Sequence, residues 1–140
     1  MIKVFIDCSG WVALINPKHR YHALAREYFQ QLLDSPTRLY SNIEQLDSAI
    51  TFIKKECGLE LAVEFTHLID DAVLATNLRL SWPTRRLRRN SLKLYFSLKE
   101  GTVDINHCYI FEEVKRKKIN IIFSFDDALK TFAIPLMPQT

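Results

Sequence analysis

Two short runs constrain this chain's fold more than any other feature of it. Residues 2–6 (Ile-Lys-Val-Phe-Ile) and 119–125 (Ile-Asn-Ile-Ile-Phe-Ser-Phe) are rich in β-branched and aromatic residues and nearly all apolar. Such runs read as strands buried on both faces, a situation that a parallel sheet covered by helices on each side provides. Between them the apolar period changes to that of helices. Ala25, Tyr28, Phe29 and Leu32 recur at i, i+3, i+4, i+7 and predict a helix over 20–33. Asp34-Ser35-Pro36-Thr37 breaks it, and Arg38-Leu39-Tyr40-Ser41 is a candidate second strand. Ile43, Leu46, Ile50 and Ile53 mark a helix ending before Gly58, and Leu61, Phe65, Leu68, Ile69 and Ala72 mark another. Residues 78–82 alternate like an edge strand that Pro83 stops. A helix over 84–99 follows, closed by Gly101; Thr102 or Asp104 then caps one running to Lys115-Arg116-Lys117-Lys118. Residues 133–137 make a last short strand. Strands alternating with helical segments predict an α/β domain of three layers, α/β/α, with a mainly parallel central sheet and helices on both faces. At 140 residues the chain suits one domain, 1–140.

Composition narrows the class. Apolar residues are 48% and charged residues 25%, which excludes a disordered chain. No apolar stretch approaches the 18 or so residues of a membrane span. Asp7 interrupts the first apolar run before a signal-peptide core could form, so the expectation is a cytoplasmic chain starting at Met1. Three cysteines, Cys8, Cys57 and Cys108, are odd in number with no close pair, which argues against a disulfide scaffold or a structural zinc site.

The acids are placed more tellingly than their number suggests. Ligands of open α/β sheets bind beyond the carboxyl ends of the strands. Asp7 follows the first strand, and Asp126 and Asp127 follow the 119–125 strand. Glu44 and Asp47 lie in the first turns after the 38–41 strand, and Asp104 opens the helix before the last long strand. Any one of these could be a helix cap. Together they converge. Unit charges about 4 Å apart repel by about 1 kcal/mol in water and about 4 kcal/mol at an intermediate dielectric, so crowded carboxylates call for a counter-cation. Oxygen ligands without Cys or paired His suit Mg²⁺ or Mn²⁺. Competing motifs are absent: there is no phosphate-cradling glycine loop, no dinucleotide fingerprint and no nucleophile elbow. His19 and His22 lack a downstream zinc-ligand partner and read as a solvated helix start.

These residues resemble the PIN domain, the small nuclease fold of many VapC-type toxins. Val4-Phe5-Ile6-Asp7-Cys8-Ser9-Gly10-Trp11-Val12-Ala13-Leu14-Ile15 is similar to the family's opening of hydrophobics, Asp, x, Ser or Thr and an apolar helix. Ser41-Asn42, Asp47 and a helix ending Lys54-Lys55-Glu56-Cys57-Gly58 resemble its second acidic helix. Ile121-Ile122-Phe123-Ser124-Phe125-Asp126 resembles its last strand. The likeness implies a metal-dependent endoribonuclease acting on single-stranded RNA, the toxin of a toxin–antitoxin pair. Asp7, Asp47, Asp104 and Asp126 would be its catalytic acids, and Asp7, Asp104 and Asp126 its Mg²⁺ or Mn²⁺ ligands. Ser9 would orient Asp7, while Glu44, His107 and Asp127 stand as supporting or alternative residues. It also implies a homodimer and an antitoxin partner.

Two positions depart from the family pattern. Counting from Asn42 favours Asp47 as the second acid; it lies about 40° round the helix from Ile43, whereas Glu44 lies about 100° round. Family spacing back from Asp126 lands on His107 rather than an acid, with Asp104 one turn earlier on the same face. Either Asp104 supplies the acid or imidazole has replaced it, and the second case suggests a degenerate, non-catalytic domain that binds RNA or a protein. Finally, Arg79, Arg85, Arg86, Arg88, Arg89 and Lys93 form an uninterrupted basic tract. Arg85, Arg88 and Arg89 make one helical stripe that could follow a phosphate backbone, with Trp11 and Trp82 as candidate base-stacking rings.

Overall fold

A computed structural model describes residues 1–99 and 101–140 of the chain. Five parallel strands form one sheet in the order β3-β2-β1-β4-β5. They are β1 (Ile2–Ile6), β2 (Thr37–Asn42), β3 (Leu78–Ser81), β4 (Ile121–Phe123) and β5 (Leu136–Met137). The two strands read as buried, β1 and β4, are the centre of the sheet and pair with each other, Val4 beside Ile121 and Ile6 beside Phe123. The strand at 78–82 is indeed an edge. Among the described residues six α-helices cover the faces: α1 (Cys8–Ile15), α2 (His22–Leu33), α3 (Ile43–Cys57), α4 (Leu59–Leu74), α5 (Arg85–Ser97) and α6 (Ile105–Lys117).

Strand pleating divides the core into two. Val4, Ile6, Leu39 and Phe123 point to one face and pack with residues of α1–α4, among them Trp11, Ala49, Ile53 and Phe65. Phe5, Tyr40 and Ile122 point to the other and meet Ile110, Val114 and Leu129. Val4, Phe5, Ile6, Ile122 and Phe123 have no solvent exposure. Each such side chain contributes about 1.5–3 kcal/mol by burial, which is why these runs had to be almost wholly apolar. Trp11 belongs to this core: its ring centroid is 5.8 Å from that of Phe65, and its indole donates to Ser41, so it is not a base-stacking ring. Trp82 is 66% exposed.

The element boundaries follow local chemistry. Asn42 caps α3 through Gln45 N–H, and Gly58, at φ 99°, both ends α3 and opens α4. Thr84 caps α5. Two elements differ from the sequence reading. The 119–125 run forms a strand only over Ile121–Phe123; beyond it Ser124 N–H still bonds the Met137 carbonyl while its hydroxyl turns to Asp7, and Phe125 N–H leaves the sheet for Ser9. After it comes an unforeseen 3-10 helix, Asp127–Phe132, opened by the Asp126 side chain. Among the described residues no helix is long and apolar enough to cross a membrane.

α1 lies directly on the β4 backbone. A methyl group at Gly10 would sit 2.6 Å from the Phe123 carbonyl oxygen and 3.1 Å from the Ile6 and Phe123 side chains. Gly10→Ala should therefore destabilise the protein by about 1–3 kcal/mol, outweighing the up to ~1 kcal/mol that alanine offers a helix. Urea denaturation checks this; an unchanged or raised midpoint would mean that α1 can lift off the strand freely.

Candidate active site

Parallel strands put the carboxyl ends of β1, β2, β3 and β4 along one edge, and the first turns of α1 and α3 start there. Asp7 is the residue after β1. It is 2% exposed, yet its carboxylate is richly held. Oδ1 accepts from Gly10 N–H (2.8 Å) and Ser9 hydroxyl (2.7 Å), the first of these making Asp7 the cap of α1. Oδ2 accepts from the Ser124 hydroxyl at 2.5 Å. The two serines then accept in turn: Ser9 Oγ from Phe125 N–H and Ser124 Oγ from Asp126 N–H, both at 2.9 Å. A buried carboxylate on one central strand thus fixes the backbone that carries the acid on its neighbour.

Burial dominates the ionisation of Asp7. It pushes the pKa from 3.8 to about 6, against the opposing hydrogen bonds of Ser124, Gly10 and Ser9, with a small further rise from Asp126. Asp126 is half-buried and behaves oppositely. His107 Nε2 lies 2.7 Å from its Oδ2, and Ala128 N–H donates to its Oδ1. The bond to His107 is the main cause holding the Asp126 pKa below its usual value, and the same bond raises that of His107. The other ring nitrogen, Nδ1, accepts from Asp104 N–H at 2.9 Å, while Asp104 Oδ1 accepts from His107 N–H at 3.0 Å. This is a capping box at the start of α6. With Nδ1 accepting, Nε2 carries the proton and donates to Asp126. Burial pushes the neighbouring Cys8 thiol to about 12, so no thiolate nucleophile stands here.

The predicted residues do not all gather. Asp7, Ser9, Asp126 and His107 form one connected network. Asp104 touches it only through His107: its carboxylate is spent on capping α6 and its side chain is 61% exposed. His107, not Asp104, is therefore the α6 residue hydrogen-bonded to Asp126. Asp47 is exposed on the second turn of α3, with no contact to Asp7 or Asp126 among those of the described residues. Glu44 is half-buried, and burial followed by the nearby Glu113 and Asp47 raises its pKa; its buried Oε1 has no hydrogen-bond partner. Asp127 faces solvent and pairs with Lys130 at 3.1 Å. Among the described residues no group of three or more His, Cys, Asp or Glu side chains is placed to hold a metal.

Two network members escaped the sequence reading. Ser124 lies in the Ser-x-Asp pattern after β4, and that pattern was the available signal. Gln45 Oε1 accepts from Cys8 N–H at 2.8 Å and brings the first turn of α3 to the site; a glutamine between Glu44 and Asp47 carried no signal. Beside Asp126, Phe125 stacks on Tyr21 with ring centroids 4.9 Å apart. The arginine stripe also divides: Arg88 gives a hydrogen bond to Tyr109 hydroxyl at 2.9 Å, while Arg85 and Arg89 project into solvent.

No protein-family model matches the chain, and no curated protein matches it. Solved structures do. VapC20 of Mycobacterium tuberculosis, described as a sarcin-ricin loop cleaving toxin, is similar with a TM-score of 0.80 at 20% identity, over 94% of this chain and 95% of that one. VapBC-1 from nontypeable Haemophilus influenzae gives a TM-score of 0.64 at 13% identity, over 97% of both chains. At these identities the likeness is one of fold: five parallel strands between helical layers make up a PIN/VapC-type fold.

Proposed function

We propose that this chain is a PIN-type endoribonuclease that uses Mg²⁺ or Mn²⁺ to cut single-stranded segments of RNA, and that it is the toxin of a toxin–antitoxin pair. The observation that carries the reading is Asp7: a carboxylate buried at the end of the central strand, held by three donors, its pKa pushed up to about 6 by that burial. A protein has little structural reason to keep such a charge, and a divalent cation would relieve it. Mg²⁺ is commonly bound through one or two carboxylates plus substrate phosphates, so Asp7 and Asp126 suffice as its protein ligands. When bound, the ion would supply a more acidic water and charge neutralisation at a phosphodiester. The chain's own residues do the rest. Ser9 and Ser124 fix the Asp7 carboxylate and, through Phe125 and Asp126 N–H, the spacing of the acid pair. His107 orients Asp126. Asp47 and Glu44 remain the α3 acids that a bound substrate or cation would draw in. The solved VapBC complex supports an antitoxin as partner for this fold; a homodimer and a cytoplasmic setting belong to the same proposal.

One observation favours a second reading. Imidazole stands where a third acid would complete the cluster, and it occupies an oxygen of Asp126. Imidazole suits Mn²⁺ better than Mg²⁺. A domain so altered binds RNA or a protein without cutting. The M. tuberculosis neighbour makes a sarcin-ricin-type RNA hairpin the first substrate to assay. On the first reading the protein cuts it in Mn²⁺, Asp7→Asn abolishes cutting, and His107→Asp raises Mg²⁺-dependent cutting by about ten-fold or more, since ligand-set changes of this kind alter activity by 10–100-fold. Wild type that fails to cut in either metal, with His107→Asp rescuing it, establishes the second reading. If neither form cuts and neither metal raises the melting temperature, the acid pair is not a nuclease site.

Asp7 also sets a pH dependence for the metal-free protein. Its folded pKa lies above its unfolded value, so the native state binds the proton more tightly between pH 3.8 and about 6. Stability should therefore fall as pH rises through that window, and about two pKa units correspond to about 3 kcal/mol lost above it. Asp7→Asn should flatten this slope and melt higher at pH 7. Chemical denaturation across pH 4–7 in a chelator tests it; an Asn variant with an unchanged slope would assign the effect to other groups.

A further inference from the structure

A cleft of about 920 Å³ lies between α5 and α6, apart from the acids. α5 contributes Arg86, Asn90 and Lys93 to it, and α6 contributes Lys115 and Arg116; all five are exposed. Among the described residues the one carboxylate in its lining, Glu112, is already paired to Lys115 at 3.1 Å. The charge around it is concentrated. Residues 79–118 hold eleven of the nineteen Lys and Arg but four of the sixteen Asp and Glu. Four cations facing one another across water repel, and a polyanion between them removes that repulsion.

The lining chooses between polyanions. A protein partner would need an exposed aromatic or apolar anchor within the cleft. Leu87 is 5% exposed and Leu94 half-buried, and no aromatic side chain lines the walls. What the cleft offers is charge on two walls and an amide, Asn90, suited to phosphate or sugar oxygens. α6 joins it to the acid pair. His107 meets Asp126 near the start of the helix, and Lys115 lies about 12 Å further along at 1.5 Å per residue.

We propose that the α5–α6 cleft is a binding site for the RNA phosphodiester backbone, gripped by Arg86, Lys93, Lys115 and Arg116. Its α5 wall adjoins the Arg85, Arg88 and Arg89 stripe that helical spacing suggested, Arg89 standing at i+3 from Arg86 and i−4 from Lys93. That it feeds the strand towards Asp7 and Asp126 rests on the ribonuclease reading; the binding itself does not.

The test is fluorescence anisotropy of a labelled RNA hairpin in EDTA, where nothing is cut, over a salt series. The variants are Arg86→Ala/Lys93→Ala, Lys115→Ala/Arg116→Ala and, as a control of equal charge loss on α3, Lys54→Ala/Lys55→Ala. All six side chains are exposed, so folding should persist, and circular dichroism melting verifies it. Each cleft pair should weaken binding about ten-fold at low salt and lower the salt slope by up to about 1.4, from about 0.7 per lost phosphate contact. The control pair should change both little. Cleft variants that bind like wild type, or a control pair that loses as much as they do, would overturn the proposal. So would poly-glutamate that binds wild type as tightly as the RNA and loses affinity in the cleft variants while the RNA does not; the cleft would then be a protein-docking surface. If Asp7→Asn binds the hairpin normally and wild type never cuts it, while the cleft variants still lose it, the binding site stands and the ribonuclease reading falls.

Discussion

Much of this molecule's carboxyl edge depends on one buried charge. The Asp7 carboxylate takes three hydrogen bonds, from Gly10 N–H, Ser9 and Ser124, and those two hydroxyls hold the N–H groups of Phe125 and Asp126. An apolar residue at position 7 would leave a helix N-terminus without its cap and two serines without acceptors, at about 1–3 kcal/mol for each unsatisfied buried group. Asparagine would keep much of that network and shed the charge. The fold therefore needs a polar side chain at position 7 but not an ionised one. What the ionised form adds is attraction for a cation, and it costs stability, the usual direction of exchange where a site is built into a core.

The same economy explains where β4 stops. Residues 119–125 have the composition of a long buried strand, yet the ladder gives way after Phe123: Ser124 N–H still reaches the Met137 carbonyl while its hydroxyl goes to Asp7, and Phe125 N–H goes to Ser9. The strand ends by being recruited to the site, and the 3-10 helix that follows is opened by Asp126 itself. Architecture and site are one hydrogen-bond network here, and the Gly10 contact with the Phe123 carbonyl closes it from the helix side.

The sheet and its helices were largely legible from residues alone. β1, α3 and α5 match their readings because apolar period, cap and terminator agree at each: Asn42 with Gly58 for α3, Thr84 for α5. The acids were harder. Position after a strand identified Asp7 and Asp126, since the carboxyl ends of parallel strands share an edge. For helix residues, spacing gives a direction round the axis but not whether the helix end lies close enough. Asp47 falls on the expected side of α3 and is nonetheless exposed, while Gln45 reaches the Cys8 N–H. Asp104 and His107 share a face, and only the capping box shows that the carboxylate turns back onto its own helix and leaves the imidazole to face Asp126. A residue that can be a cap or a ligand looks the same in sequence.

That capping box has a consequence for any cation at Asp126. His107 donates through Nε2 because its Nδ1 is held by Asp104 N–H, so the ring cannot simply exchange roles with a metal ligand. A cation at Asp126 would share the carboxylate with the Nε2 proton, since two of its roughly four lone-pair sites are taken. For the ring itself to become a ligand it must lose the Nε2 proton, which leaves Nδ1 to find one where Asp104 N–H now donates. An aspartate at position 107 would face no such conflict, because a carboxylate can accept the Asp104 N–H with one oxygen and a cation with the other. The imidazole thus ties the N-terminus of α6 to Asp126.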